Sequence, residues 1–149
     1  MDYRIRIANK EDVIAISQVI VATLRQSNAQ DYTPAIISEV EKNFSPEAIG
    51  QLLVQREVFV ATVEGEIVAT ASLDRDVVRS VFVDPRFQKH GLGKALITMI
   101  QSVALSKEVR LLRVPSSITA EGFYASLGFN KVRDEFHGAE RTIIMEKRL

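Results

Sequence analysis

Residues 87–96 read FQKHGLGKAL, and the glycine-spaced segment from Gln88 to Gly93 decides how the rest of the chain is to be read. Ahead of it, Val81-Phe82-Val83-Asp84-Pro85 closes a run of β-branched and aromatic residues. Behind it, Leu92, Leu96, Met99, Ile100 and Val103 recur at the spacing of one helix face. A strand thus passes through a glycine loop into a helix, where amino-terminal N–H groups and the helix dipole favour an anion. Glycines let phosphates approach the backbone, and Lys89, His90 and Lys94 supply positive charge. Taken alone, the stretch also fits a glycine turn that opens a surface helix with solvated lysines.

Two common phosphate loops fail here. The triphosphate loop G-x-x-x-x-G-K-[ST] finds Gly93-Lys94, but Gln88 replaces its first glycine and Ala95 its magnesium-holding hydroxyl. The dinucleotide fingerprint finds Gly91 and Gly93, but Leu96 fills the third site, where close helix packing needs glycine or alanine. What remains is Q-x-x-G-x-G.

A second stretch lies downstream, from Ser116 to Phe129: SSITAEGFYASLGF. It reads as a short helix over about 120–127, carrying Phe123-Tyr124 and closed by Gly128-Phe129. Together, Q-x-x-G-x-G and this segment, in that order and separation, resemble the two signatures of the GNAT superfamily of N-acetyltransferases. The resemblance is strong over about residues 58–136 and extends to the amino-terminal strand and helices in order only.

The resemblance implies an α/β fold of the GNAT type: a mixed, mostly antiparallel sheet with two splayed parallel strands and helices on both faces. It implies acetyl-CoA as donor, with pyrophosphate on the amides of Gln88, Lys89, His90, Gly91, Leu92, Gly93 and Lys94. Pantetheine would run as a pseudo-strand along Val81, Phe82 and Val83, with Ser116 or Ser117 bonding the arm. An amine would attack the thioester carbonyl directly, a backbone amide near Phe82 or Val83 stabilising the oxyanion. Tyr124 matches the tyrosine that donates a proton or hydrogen bond to the departing thiolate, a role open to a phenol of pKa near ~10. Pro115 cannot donate to a ladder, so pairing between Val81–Val83 and Arg113–Val114 is expected to break near it.

Two parts of the chemistry stay open. In some family members a carboxylate on the strand before the loop takes the amine proton, but Val77-Val78-Arg79-Ser80 carries none. Asp74 and Asp76, at the strand's start, could act through water, although acids flanking a tight turn are usually solvated. The acceptor, a small-molecule or peptide amine, would lie over about Arg25 to Phe44. There Asp31, Glu39 and Glu41 would favour a cationic amine, and Tyr32 and Phe44 would form walls. The missing base keeps a second reading open, a degenerate module that binds acetyl-CoA as a sensor. His90 and His137 lack carboxylates at ligand spacing, so no metal site is expected.

The rest of the chain agrees with one domain spanning residues 1–149. Tyr3 to Ile7 alternates as a strand, Asn9 stands at a helix cap with Asp12 three residues on, and Val13, Ile16, Ile20 and Leu24 follow at helical spacing. A short helix is expected from Pro34 and another after Ser45-Pro46-Glu47, with Ile49, Leu52 and Leu53 as its buried stripe. EVFVATV, IVATASL and VVRSVFV then form a three-strand meander, Arg110 to Val114 another strand, and Phe129–Phe136 pairs with Thr142–Lys147 across His137-Gly138. The principal elements run β, α, α, β, β, β, α, β, α, β, β.

Nineteen basic and nineteen acidic residues cancel, so no overall field attracts nucleic acid or an anionic membrane. Cysteine is absent, which removes thiolate nucleophiles and disulfides. The amino terminus lacks an apolar signal region and no stretch reaches the roughly 18 apolar residues of a spanning helix, so a cytoplasmic protein is expected. The carboxy-terminal strand pair offers an edge that a homodimer could share.

Overall fold

The computed structural model describes all 149 residues. Strand β1 (Arg4–Ile7) leads into helix α1 (Val13–Gln26) through a single 3-10 turn. The turn is set by a reciprocal cap: the Asn9 side chain accepts from Glu11 N at 3.0 Å, and Asn9 N donates to the Asp12 carboxylate at 2.8 Å. Arg6 then grips Asp12 through both terminal guanidinium nitrogens, Nη1 and Nη2, at 2.7 and 3.0 Å, and so ties β1 to the start of α1.

Helices α2 (Pro34–Glu41) and α3 (Pro46–Gln55) follow, each with proline in its first turn. Each is also capped by a hydroxyl, Thr33 or Ser45, accepting a backbone N–H three residues on. Three α-helices therefore separate β1 from the meander, one more than the principal order read from sequence, because the Pro34 segment is a complete helix.

The meander is β2 (Glu57–Val63), β3 (Glu66–Asp74) and β4 (Val77–Val83), all antiparallel. Glu64 and Gly65, both at positive φ (52° and 81°), make the tight turn between β2 and β3. The near-continuous apolar character of β2 reflects burial on both faces. Val58 and Val60 pack with Ile16 and Ile20 of α1 and Ile49 of α3, whereas Phe59 and Ala61 pack toward Leu96, Ile97 and Ile100. The latter belong to helix α4 (Leu92–Ser106). Met99 was expected on that buried face but is 37% exposed; Ile97 takes its place in the core.

β5 (Leu111–Ser117), helix α5 (Glu121–Ser126), β6 (Asn130–His137) and β7 (Glu140–Arg148) complete the chain. The sheet order is β1-β2-β3-β4-β5-β7-β6. All neighbours are antiparallel except β4 and β5, whose parallel pairing is confined to Val77 opposite Arg113. The register differs from expectation, because Val81–Val83 never meets Arg113–Val114: the strands have parted four residues earlier. β5 also runs on through Pro115 to Ser117 instead of stopping at Val114. The reason is geometric: Arg113 N donates toward β4, to Asp76 O at 3.0 Å, so two residues on the missing N–H of Pro115 faces the side that β4 has left. No helix is long and apolar enough to cross a membrane.

The Arg6 fork, aided by the Asn9 N–H, holds the Asp12 carboxyl below its usual range. A lowered folded-state pKa stabilises above the unfolded value and is lost as pH falls through the folded one. Asp12→Ala is expected to cost about 1–2 kcal/mol at neutral pH. In urea titrations across pH, the gap from wild type should shrink below about pH 4.

Candidate active site

The segment from Asp84 to Gly91 is held by its own side chains. Asp84 accepts from Arg86 N at 2.9 Å and from the Arg86 guanidinium at 3.2 and 3.0 Å, fixing the turn after β4. Gln88 Nε2 donates to Val83 O at 3.0 Å and to Ser27 Oγ at 3.2 Å, tying the loop to the end of β4 and to α1. Lys89 and Gly91 adopt positive φ (66° and 82°), and Gly91 is the amino-terminal cap of the 15-residue α4. At Gly93 the need for glycine is contact: a Cβ there would stand 3.0 Å from the Phe123 ring and 3.7 Å from Val83. The phosphate-loop candidate and the Phe-Tyr segment are thus packed against each other.

Between the parted strands lies a cleft of about 1300 Å³. Of the residues proposed from sequence, Val81, Phe82, Val83, Gln88, Lys89, Gly91, Leu92, Gly93, Lys94, Ser116, Ser117 and Tyr124 line it. His90 does not, and its side chain is exposed. Tyr124 is 4% exposed and wedged edge-on between Phe123 and Phe129, with ring centroids 5.1 and 5.5 Å away. Burial alone pushes its phenol far above the ordinary value, no charge or hydrogen bond acting against it.

Several polar groups along the cleft already have partners. Val83 O accepts from Thr23 Oγ1 at 3.1 Å as well as from Gln88. Ser116 Oγ donates to Ser117 O at 2.7 Å, and Ser117 Oγ accepts from Ala120 N at 3.1 Å, so both hydroxyls shape the entry to α5. The Tyr32 hydroxyl donates to Arg141 O and accepts from Ile118 N, both at 2.8 Å, pinning the α1–α2 connection to the ends of β5 and β7. Phe44 meets Phe82 edge-on at 5.6 Å. Tyr32 and Phe44 both line the cleft.

The acids expected around the acceptor lie elsewhere. Asp31 accepts from Thr119 Oγ1 at 2.8 Å, Glu39 pairs with Lys42 at 2.8 Å and Glu41 with Arg25 at 2.9 Å; none lines the cleft. Asp74 lies 3.5 Å from both Arg75 and Arg79. The one carboxylate lining the cleft is Glu140, and the one imidazole is His137, across the β6–β7 turn from it. Arg56 and Arg79 also line it. These four carry no local motif. Arg56 ends a helix, Arg79 sits in a strand, and His137 and Glu140 flank a turn, so only the topology brings them together.

The sequence profile of the acetyltransferase (GNAT) domain matches residues 28–149. The chain belongs to that family of N-acetyltransferases, which are acyltransferases. Its fold is similar to that of a GCN5-related N-acetyltransferase from Rhodopseudomonas palustris, 22% identical with a TM-score of 0.95, over 100% of this chain and 97% of that one. It is also similar to the PaiA N-acetyltransferase of Thermoplasma acidophilum in complex with coenzyme A, 18% identical with a TM-score of 0.85 over 100% of both chains. Among sequences, the uncharacterized N-acetyltransferase YafP of Escherichia coli is 25% identical over 127 residues, 83% of this chain and 79% of that protein.

Because Phe123 presses on Gly93, Gly93→Ala is expected to destabilise by about 1–3 kcal/mol through overpacking. In a double-mutant cycle by chemical denaturation, Phe123→Leu should recover part of that loss. Additive effects would mean that the two sites do not press on each other.

Proposed function

We propose that the 149 residues work as one domain that transfers the acetyl group of acetyl-CoA to a primary amine. The observation that carries this reading is the parting of β4 from β5 beyond Val77, with the glycine loop at one end of the gap and buried Tyr124 lining it. The residues fit the donor. The loop offers N–H groups at the start of α4, and Gly93 leaves no side chain between it and Phe123.

When bound, acetyl-CoA supplies an activated acetyl thioester. The N–H groups from Gln88 to Lys94 hold its diphosphate, with Lys89 and Lys94 beside them, and the edge of β4 at Val81–Val83 orients its arm. The amine nitrogen forms the new N–C bond as the C–S bond breaks. Tyr124 Oη gives a proton or hydrogen bond to the departing sulfur. The amine's proton goes to Glu140 or His137, the one carboxylate and the one imidazole lining the cleft.

Tyr124→Phe is expected to lower kcat about a hundredfold or more while leaving acetyl-CoA affinity intact, measured by thiol release and by titration calorimetry. Since burial raises the phenol above its ordinary value of about 10, it stays protonated below that pH. The kcat profile should therefore show no alkaline loss below about pH 10 that Tyr124→Phe removes. Unchanged turnover in Tyr124→Phe would contradict the acid role. Acetyl-CoA binding without thiol release across a broad amine panel would favour a binding module instead.

A further inference from the structure

The charges on the acceptor side of the cleft are reversed from those expected of a site for a simple cation. Asp31, Glu39 and Glu41 are engaged away from the cleft, and two arginines stand in it instead. Arg56 closes the carboxy-terminal end of α3, half-buried. Its one side-chain hydrogen bond is from Nη1 to Ser80 Oγ at 3.1 Å, and no carboxylate lies within ion-pair distance of it. Ser80 is where β4 bulges: Ser80 and Val81 together oppose Ala71, and Ser80 takes a positive φ of 56°. A guanidinium has five N–H donors in a rigid fork, so Arg56 has four more to offer.

Burial disfavours the Arg56 charge, and the like charge of Arg79, on the same cleft wall, acts in the same direction. Asp74, which favours that charge, is shared with Arg79 and Arg75. Holding a cation partly out of water opposes stability, and a guanidinium with free donors beside a second arginine on the same cleft wall suits an anion such as a carboxylate. Arg56 and Arg79 belong to the β1–β4 arm of the split sheet. Glu140 and His137, suited to an ammonium, belong to the β5–β7 arm. A diamine would set a positive end against the arginines, whereas an acceptor with one charge of each sign fits both arms.

Building on the acetyl-transfer reading above, we propose that the acceptor is an amino-acid-type zwitterion. Its carboxylate lies on Arg56 and Arg79, and its amine faces Glu140 and His137. Arg56 and Arg79 are specificity-determining residues in this scheme and take no part in proton transfer.

The test uses the intact protein saturated with CoA and product-like probes: the twenty N-acetyl amino acids, each matched with its primary amide, followed by titration calorimetry. At least one acid is expected to bind about ten- to hundredfold tighter than its amide, the range of a charge-assisted contact. Arg56→Gln and Arg79→Gln should each erase that preference, and Arg56→Lys should restore only part of it because a point charge lacks the fork. Thermal melts of the same variants establish that they fold. In turnover with the matching free amino acid, Arg56→Gln should raise KM about ten- to hundredfold with a much smaller change in kcat. Equal binding of acids and amides, no binding of any probe, or faster turnover of diamines than of amino acids would overturn the acceptor assignment. Failure of CoA itself to bind would contradict the acetyl-transfer reading instead.

Discussion

Everything at the site depends on the sheet being joined at its middle by so little. β4 and β5 meet only where Val77 faces Arg113, with Arg113 N bonded to Asp76 O. Beyond that point the two strands diverge, and a parallel pair buried by helices on both faces ordinarily continues its ladder. Here the divergence is stabilised from both sides. On the β4 side, the Ser80 bulge bends the strand, and Val83 O turns to Thr23 and Gln88. On the β5 side, Pro115 has no N–H to offer, and the strand keeps its full ladder with β7 from Leu111 to Ser117. The bulge, the engaged Val83 carbonyl and Pro115 each work against continued pairing, so the gap is a property of the fold.

The two arms must still be held in register across the gap, and the bonds that do so come from outside the sheet. Tyr32 links the α1–α2 connection to both Ile118 and Arg141, and Phe123 packs from α5 onto Gly93 at the start of α4. Tyr124 follows Phe123 directly, so the contact that closes the loop against α5 also sets the depth of the phenol. Its burial between two aromatic rings gives it no charged neighbour and keeps its proton. A phenol that keeps its proton can donate a hydrogen bond, which is what the proposed transfer asks of it.

Much of this was legible in the sequence because it is written locally. Asn9 and Asp12 announce a cap, Ser45-Pro46 a helix start, Gly138 a tight turn, and Gln88 to Gly93 a loop entering a helix; each depends on neighbours a few residues away. The reading failed where the deciding partner is distant in the chain. Pro115 reads as a strand end unless β4 is known to have left its side. Asp31, Glu39 and Glu41 read as acceptor-site acids until Thr119, Lys42 and Arg25 take them. Arg56, Arg79, His137 and Glu140 come from four elements, and no spacing rule brings them to one wall.

The account rests on the gap between β4 and β5 being the donor's seat, and a crystal structure of the protein with coenzyme A tests this most directly. It should show the diphosphate on the backbone N–H groups from Gln88 to Lys94, the arm between the parted strands, and the sulfur within about 3–4 Å of Tyr124 Oη. Coenzyme A bound outside the gap, or a gap closed by continued β4–β5 pairing beyond Val77, would contradict it.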